Sequence, residues 1–318
     1  MIRIAPYLKE IGRGKHGARS LPQGQAHTLF SAVLDQQVSD LELGAFLMAM
    51  RIKAESVDEL IGFSQAVQER CIALPAPSTP AVVLPSYNGS RRLPNLTALL
   101  AGLLAKQGMP VWVHGPLRDP HRIGTAEVFE ALGWASTPQV DAVHAAWRAQ
   151  QPVFLPIETL CPALSRLLAL RWTLGVRSSG HSVAKLMNPG QHQAVLRVVN
   201  YTHPEYVDTL SAMLQQNQAH AMLLRGTEGE PVADARRQPR MDVYLNGQLQ
   251  ADLSVPLQEG PLAELPQLAQ GNDASATAKF IQAVMEGNLP VPAPIQTQVN
   301  LLHGAWQRLQ NTPTNHSA

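Results

Sequence analysis

Apolar residues recur at three- and four-residue spacing from about Gln25 to Gln68, most plainly in LELGAFLMAMRIKAESVDELIGF, and predict helical hairpins there. Ser39, ahead of Asp40 and Glu42, reads as an N-cap, and Ser56 opens the next helix. A Pro-rich break, LPAPSTPAVVLPSYNGS, ends this pattern. Beyond it, short β-like runs (AVVLP, PVWVHG, PVFLP, QAVLRVVNY, HAMLLRG) alternate with helical stretches such as LTALLAGLLAKQG, TAEVFEALGW and PEYVDTLSAMLQQNQ. Strands alternating with amphipathic helices predict an α/β unit with a mainly parallel sheet. The apolar helical segment 162–174 is expected to pack back on the N-terminal helices. The expected organisation is therefore a small all-α domain over residues 1–73, joined by that segment, and a large α/β domain over 74–318.

The 318 residues are too many for one ordinary domain, and 45% apolar with 15% charged is a globular composition. A formal net charge of +1 names no partner, but the distribution of charge does more. No acid lies between Glu69 and Asp119, where Arg70, Arg91, Arg92, Lys106 and Arg118 fall. A second acid-free interval, from Glu158 to Glu205, holds Arg166, Arg171, Arg177, Lys185 and Arg197. Arg236, Arg237 and Arg240 form a basic knot in a polar, Pro-containing stretch that reads as a loop. The N-terminal segment carries Arg3, Lys9, Arg13, Lys15 and Arg19 against Glu10 alone, and its GRGKHG lacks the Walker spacing. A neutral chain of this kind can fold with one basic face, and a local field captures anions regardless of net charge.

The longest strongly apolar run, Ala98–Ala105, is far short of a membrane span, and the N-terminus lacks an apolar signal core. Two cysteines, Cys71 and Cys161, are too separated for a thiolate metal motif and read as buried small side chains of a cytoplasmic protein. His114 and His121, seven apart around two prolines, do not make a zinc site.

LELGAFLMAMRIKAESVDELIGF, VHGPLRDPHRIGTAEVFEALG, LRWTLGVRSSGHSVAKLMNP and YTHPEYVDTLSAMLQQNQAHAMLLRGTEGEP occur in the order found in anthranilate phosphoribosyltransferase and its relatives. The chain resembles that family, of the nucleoside-phosphorylase type II fold, from about residue 5 to 310. The resemblance implies a cleft at the hinge between the two domains and a homodimer through the helical domains, around the hairpin of Leu41–Phe63.

The family's chemistry is not carried over with the fold. Where the family's GTGGDG loop cradles the pyrophosphate of phosphoribosyl pyrophosphate, this chain has Leu84, Pro85, Ser86, Tyr87, Asn88 and Gly89, and only Gly89 matches. KHGNR becomes Val113, His114, Gly115, Pro116 and Leu117, leaving His114 and Gly115 as vestiges of the substrate cleft. The magnesium-binding Asp-Glu pair is replaced by Pro231 and Val232, so the magnesium site is expected to be lost and no cofactor is expected. Lys185 replaces the roof proline of LGPLxNP, and Arg171 matches the arginine that reads the anthranilate carboxylate.

The same segments carry Arg91, Arg92, Arg118, Arg122 and Lys185 at the expected cleft, with Arg236, Arg237 and Arg240 either a loop that closes over a bound polyanion or a solvated turn. The chain resembles a paralogous branch of the family that binds nucleic acid and does not catalyse. Together these residues point to sequence-nonspecific DNA or RNA binding, because a basic groove releases counterions without reading bases. Tyr87 is either a base-stacking ring or a ring packed into its loop. The alternative is a diverged phosphoribosyltransferase or other glycosyltransferase acting on an aromatic or nucleobase-like acceptor, with Arg122 and Lys185 clamping its anion.

Overall fold

The structure, a computed structural model, describes residues 2–14, 16–72, 74, 77–137, 139–190 and 195–311, so Lys15 and the C-terminal tail lie outside the described residues. Four helices open the chain: α1 (Ala5–Ile11), α2 (Gln23–Leu34), α3 (Asp40–Lys53) and α4 (Val57–Gln68). The two serine starts are capping boxes. Ser39 Oγ accepts from the Glu42 N–H at 3.4 Å while the Glu42 carboxylate accepts from the Ser39 N–H at 3.2 Å. Ser56 and Glu59 repeat this at 3.3 and 2.8 Å, and each cap is worth about 1 kcal/mol. Glu59 is fully buried and also takes the Lys53 ammonium at 2.7 Å and the Leu21 N–H at 3.0 Å. Phe30 and Phe63 stack at 4.4 Å, with Phe46 edge-on to both, and lock α2, α3 and α4 together.

The chain then alternates: β1 (Ala81–Pro85), α5 (Thr97–Lys106), β2 (Val111–Gly115), α6 (Thr125–Leu132), α7 (Val140–Arg148) and β3 (Val153–Pro156). Four short helices follow, α8 (Ile157–Leu160), α9 (Pro162–Ala169), α10 (Arg171–Leu174) and α11 (Ser179–Ala184). The remainder is β4 (Val195–Tyr201), α12 (Val207–Gln216), β5 (Ala221–Arg225), β6 (Met241–Leu245), β7 (Gln248–Leu249), α13 (Ala274–Met285) and α14 (Ala293–Asn311). One sheet runs β3-β2-β1-β4-β5-β6-β7, parallel from β3 to β5 and antiparallel at β6 and β7.

Both faces of this sheet are buried, which is why its strands read as continuous apolar runs. Val82 and Leu84 face a core with α5, α6, α13 and α14, while Ala81 and Val83 face one shared with the helical domain. Leu164, Leu167 and Leu168 of α9 enter that second core beside Phe30 and Phe46. The helical domain is thus completed by a segment that leaves the α/β domain after β3.

From β1 the chain winds outward to β2 and β3, then returns to lay β4 on the other side of β1 and continues to β5. The carboxyl ends of β1 and β4 therefore diverge. In open α/β sheets that divergence is where ligand crevices form.

Candidate functional site

The loop after β1, Ser86–Gly89, lines that crevice. Gly89 has φ +65°, and a Cβ there would lie 2.9 Å from Cβ of Arg122. The loop is held against the next segment by reciprocal backbone bonds between Ser90 and Ile123, each 3.0 Å. Its N–H groups do not face open space. The Glu230 carboxylate, 0% exposed, accepts from the Asn88 and Gly89 N–H groups, both at 2.8 Å. The same carboxylate takes the hydroxyls of Ser86, Thr97 (3.2 Å) and Thr125 (3.3 Å). Glu228 does likewise one turn on, where its carboxylate accepts from the N–H groups of Arg91 (3.0 Å), Arg92 (3.2 Å) and Leu93 (3.3 Å).

Gly229 makes this possible. Its φ is +86°, and a Cβ would fall 1.7 Å from Asn88 Nδ2, so a side chain at 229 would push the acidic turn off the loop. Asn88 Nδ2 closes the contact on the Glu228 carbonyl at 2.9 Å. Successive backbone N–H groups form a concavity for anions. Here the anions are two side chains of the chain itself.

The carboxylates at the cradle are engaged by hydrogen-bond donors. The positions matching the family's metal acids are Pro231 and Val232, both buried. Glu230 has turned both oxygens toward hydrogen-bond donors. Among the described residues no group of three or more His, Cys, Asp or Glu is placed to hold a metal ion.

Beside the filled cradle lies a crevice of about 380 Å³ between the helical domain and the ends of β1 and β4. Lys185, at the end of α11, reaches across it and donates to Asn200 Oδ1 (2.8 Å) and the Gly229 carbonyl (3.0 Å). Burial lowers its pKa to about 8 against the pull of Glu230, with Arg177 and Arg122 pressing the same way as burial. Arg177 donates to Asn88 Oδ1 at 2.5 Å. Its pKa is lowered to about 10, first by burial and then by Arg171 and Arg122. Arg177 Nη2 and Asn200 Nδ2 are buried and find no hydrogen-bond acceptor among the described residues. Buried donors without acceptors cost free energy, and an anion's oxygens would relieve it.

The expected site residues separate into two groups. Gly89, Arg91, Arg92, Arg122 and Lys185 converge around the cradle and crevice. Arg91 and Arg92 are exposed and have no ion-pair partner among the described residues. Among the described residues Arg122 donates to the Gly89 carbonyl alone, at 3.2 Å. The other cations are already paired. Arg118 meets Glu130 at 2.5 Å. Arg236 forks onto Asp234, which also faces Arg237 at 3.7 Å, and Arg240 meets Asp242 at 2.8 Å. The basic knot is therefore a set of local ion pairs, not a bare cationic loop.

Arg171 is also spoken for, by Asp119 at 3.3 Å. Its guanidinium lies 4.1 Å over the Trp172 ring, which is 48% exposed. Tyr87 is no stacking platform: it is 4% exposed, with its hydroxyl on His114 Nδ1 at 2.7 Å. His114 itself is fully buried, and burial lowers its pKa to about 3, so it cannot meet a substrate at the surface. Glu228, Glu230, Arg177 and Trp172 were missed as functional candidates. An Arg-Trp pair inside an acid-free interval was the available signal for Trp172.

The helical bundle domain of a glycosyl transferase family matches residues 5–71. The Escherichia coli K12 protein YbiB is 39% identical over 294 residues, spanning 92% of this chain and 91% of that one. The anthranilate phosphoribosyltransferase of Prochlorococcus marinus MIT 9313 is 29% identical over 91% of this chain and 82% of the enzyme. Among solved structures, anthranilate phosphoribosyltransferase from Thermus thermophilus superposes with a TM-score of 0.71 at 22% identity, covering 96% of this chain and 90% of that one. The Saccharomyces cerevisiae enzyme in complex with PRPP and Mg gives 0.67 at 14% identity, over 97% and 90%.

Proposed function

The chain belongs to the anthranilate phosphoribosyltransferase-like family, and within it we propose a sequence-nonspecific nucleic-acid-binding protein of the cytoplasm, not a transferase. One observation supports this reading: the anion cradle is filled by Glu230 and Glu228, while Arg91, Arg92 and Arg122 stand beside it with no ion-pair partner among the described residues. A cradle occupied by the chain's own carboxylates has no place for a pyrophosphate. Cations without partners carry counterions, which a phosphodiester backbone displaces. Base reading is not part of the proposal, since backbone contacts position without specifying. Trp172, beside Arg171 and His121, is the exposed ring on which a base would stack.

A homodimer supports two such grooves. Leu41, Ala45, Met48 and Ile52 form one exposed stripe along α3, with Leu41 85% and Ile52 69% exposed. An apolar stripe opposite the face that buries Phe46 and Met50 is suited to a second copy.

The test is a salt titration of binding to a mixed-sequence oligonucleotide. About four neutralised phosphates, at a slope of about −0.7 each on single strands, weaken binding roughly 50-fold for a fourfold rise in salt. Changing Arg91, Arg92 and Arg122 to alanine should lower the slope by about two units for every sequence alike. The triple change at Arg236, Arg237 and Arg240 should cost much less. Salt-independent affinity, or an unchanged slope in the first triple variant, rules the reading out.

The crevice supports the second reading, a diverged transferase on an aromatic or nucleobase-like acceptor, with Lys185 and Arg122 holding a phosphorylated sugar. That reading requires anthranilate or base consumption with phosphoribosyl pyrophosphate. The first reading expects none above background.

A further inference from the structure

Cys71 and Cys161 are the chain's two cysteines and stand ninety positions apart, which sequence spacing reads as two unrelated buried side chains. The fold brings them together. The Ile72 N–H donates to the Leu160 carbonyl at 2.9 Å, so the peptide units that adjoin each cysteine face one another. Both sulfurs share one acceptor, the Val67 carbonyl, at 3.4 Å from Cys71 and 3.9 Å from Cys161. Cys161 is fully buried and Cys71 partly exposed, so one sulfur is reachable by a small oxidant and the other waits behind it.

Their place in the fold gives the contact a consequence. The chain crosses between the helical domain and the sheet three times: from α4 to β1, from β3 to α9, and from α11 to β4. Cys71 lies on the first crossing and Cys161 on the second. The geometry points to Cys71 and Cys161 as a reversible dithiol–disulfide pair that, when oxidised by a hydroperoxide, staples two of the three crossings at the hinge.

The pair is chemically equipped for this. Cys161 is held below the usual thiol range by the Cys71 S–H, with the Leu164 N–H, Arg70 and Arg166 assisting against burial. The Cys161 contact and burial raise the Cys71 thiol, so attack begins from the minor form in which its proton has passed to Cys161 and Cys71 is the thiolate. Cys71 sulfur attacks one peroxide oxygen, the O–O bond breaks, and the departing alkoxide takes a solvent proton as alcohol. Cys161 sulfur then attacks the sulfenic sulfur of Cys71, the S–O bond breaks, and hydroxide leaves as water with the Cys161 proton. Two thiols are oxidised and one hydroperoxide is reduced. A dithiol reductant reverses the change and is itself converted to a disulfide.

The test treats the folded full-length protein with hydrogen peroxide and reads intact mass and peptides without reduction. Loss of two hydrogen atoms, a cross-linked peptide pair spanning 71 and 161 within one chain, and recovery with dithiothreitol are expected. Cys71→Ser and Cys161→Ser should each abolish the cross-link, and the oxidised parent should melt at a higher temperature than the reduced one. Thiols that both remain titratable, oxygen addition without a cross-link, a bond formed only between chains, or one formed only in urea would each overturn the assignment.

Discussion

Replacing Glu230 by alanine is the sharpest probe of the filled cradle. The side chain receives two backbone N–H groups at 2.8 Å and three hydroxyls, and it faces Lys185. Removing it leaves the Asn88 and Gly89 N–H groups buried without that acceptor and removes the negative charge that favours the Lys185 ammonium. Loss of one partner from a buried, charge-assisted network costs about 3–5 kcal/mol, well above an ordinary surface change. The emptied cradle then has the size and donors for a tetrahedral anion. Inorganic phosphate at about 100 times its dissociation constant would return about 2.7 kcal/mol by mass action. Urea unfolding of parent and variant, each with and without phosphate at constant ionic strength, reads both effects. The variant should lose stability and regain much of it with phosphate, while the parent hardly responds. A variant as stable as the parent, or a parent stabilised equally by phosphate, refutes the claim that Glu230 holds an anion's place.

Nucleic-acid affinity should fall as pH rises through about 8, where Lys185 gives up its proton, by roughly tenfold between pH 7 and pH 9 if its charge is required. Lys185→Arg should flatten that profile. The same depressed pKa makes Lys185 a stability cost that is fully present below pH 8 and relieved toward its unfolded pKa. Urea midpoints should therefore rise with pH in that window for the parent and not for Lys185→Met. Trp172→Ala should weaken single-strand binding by about 1–3 kcal/mol with an unchanged salt slope, as fluorescence anisotropy would report. Leu41→Glu with Ile52→Glu should give a monomeric mass by light scattering without loss of helical circular dichroism. A dimer that survives both changes places the interface elsewhere.

What could be read before the fold was known follows the range of the interactions concerned. The starts of α3 and α4 were legible at Ser39 and Ser56 because a capping box closes within four residues. The five parallel strands were legible because burial on both faces writes an apolar run into each. The antiparallel pair β6 and β7 was not, since Met241–Leu245 follows a loop whose arginines dominate the local pattern. Arg236, Arg237 and Arg240 looked free for the same reason: their acids, Asp234 and Asp242, flank the knot but count for little until geometry pairs them. Tyr87 was open to both a stacking and a packed reading because proximity in sequence to Arg91 and Arg92 does not say which way a ring points; the ring is packed.

Glu230 shows why the loss of a motif is only half a description. Aligned by position, the acid stands one residue ahead of the expected metal ligands, and that offset reads as decay. In the fold, Gly229 at φ +86° turns it back through the divergence of β1 and β4, so that it meets a loop more than 140 residues earlier in the chain. Asp119 treats Arg171 in the same manner, supplying a carboxylate to the arginine that matches the family's anthranilate reader. The cradle N–H groups and the Arg171 guanidinium are thus both answered by carboxylates from within the chain. With its donors satisfied from within the chain, the loop around the cradle leaves Arg91 and Arg92 exposed. That arrangement links the closed cradle to the exposed cations: one set of donors is satisfied internally so that the neighbouring charges are left to solvent and to whatever polyanion approaches.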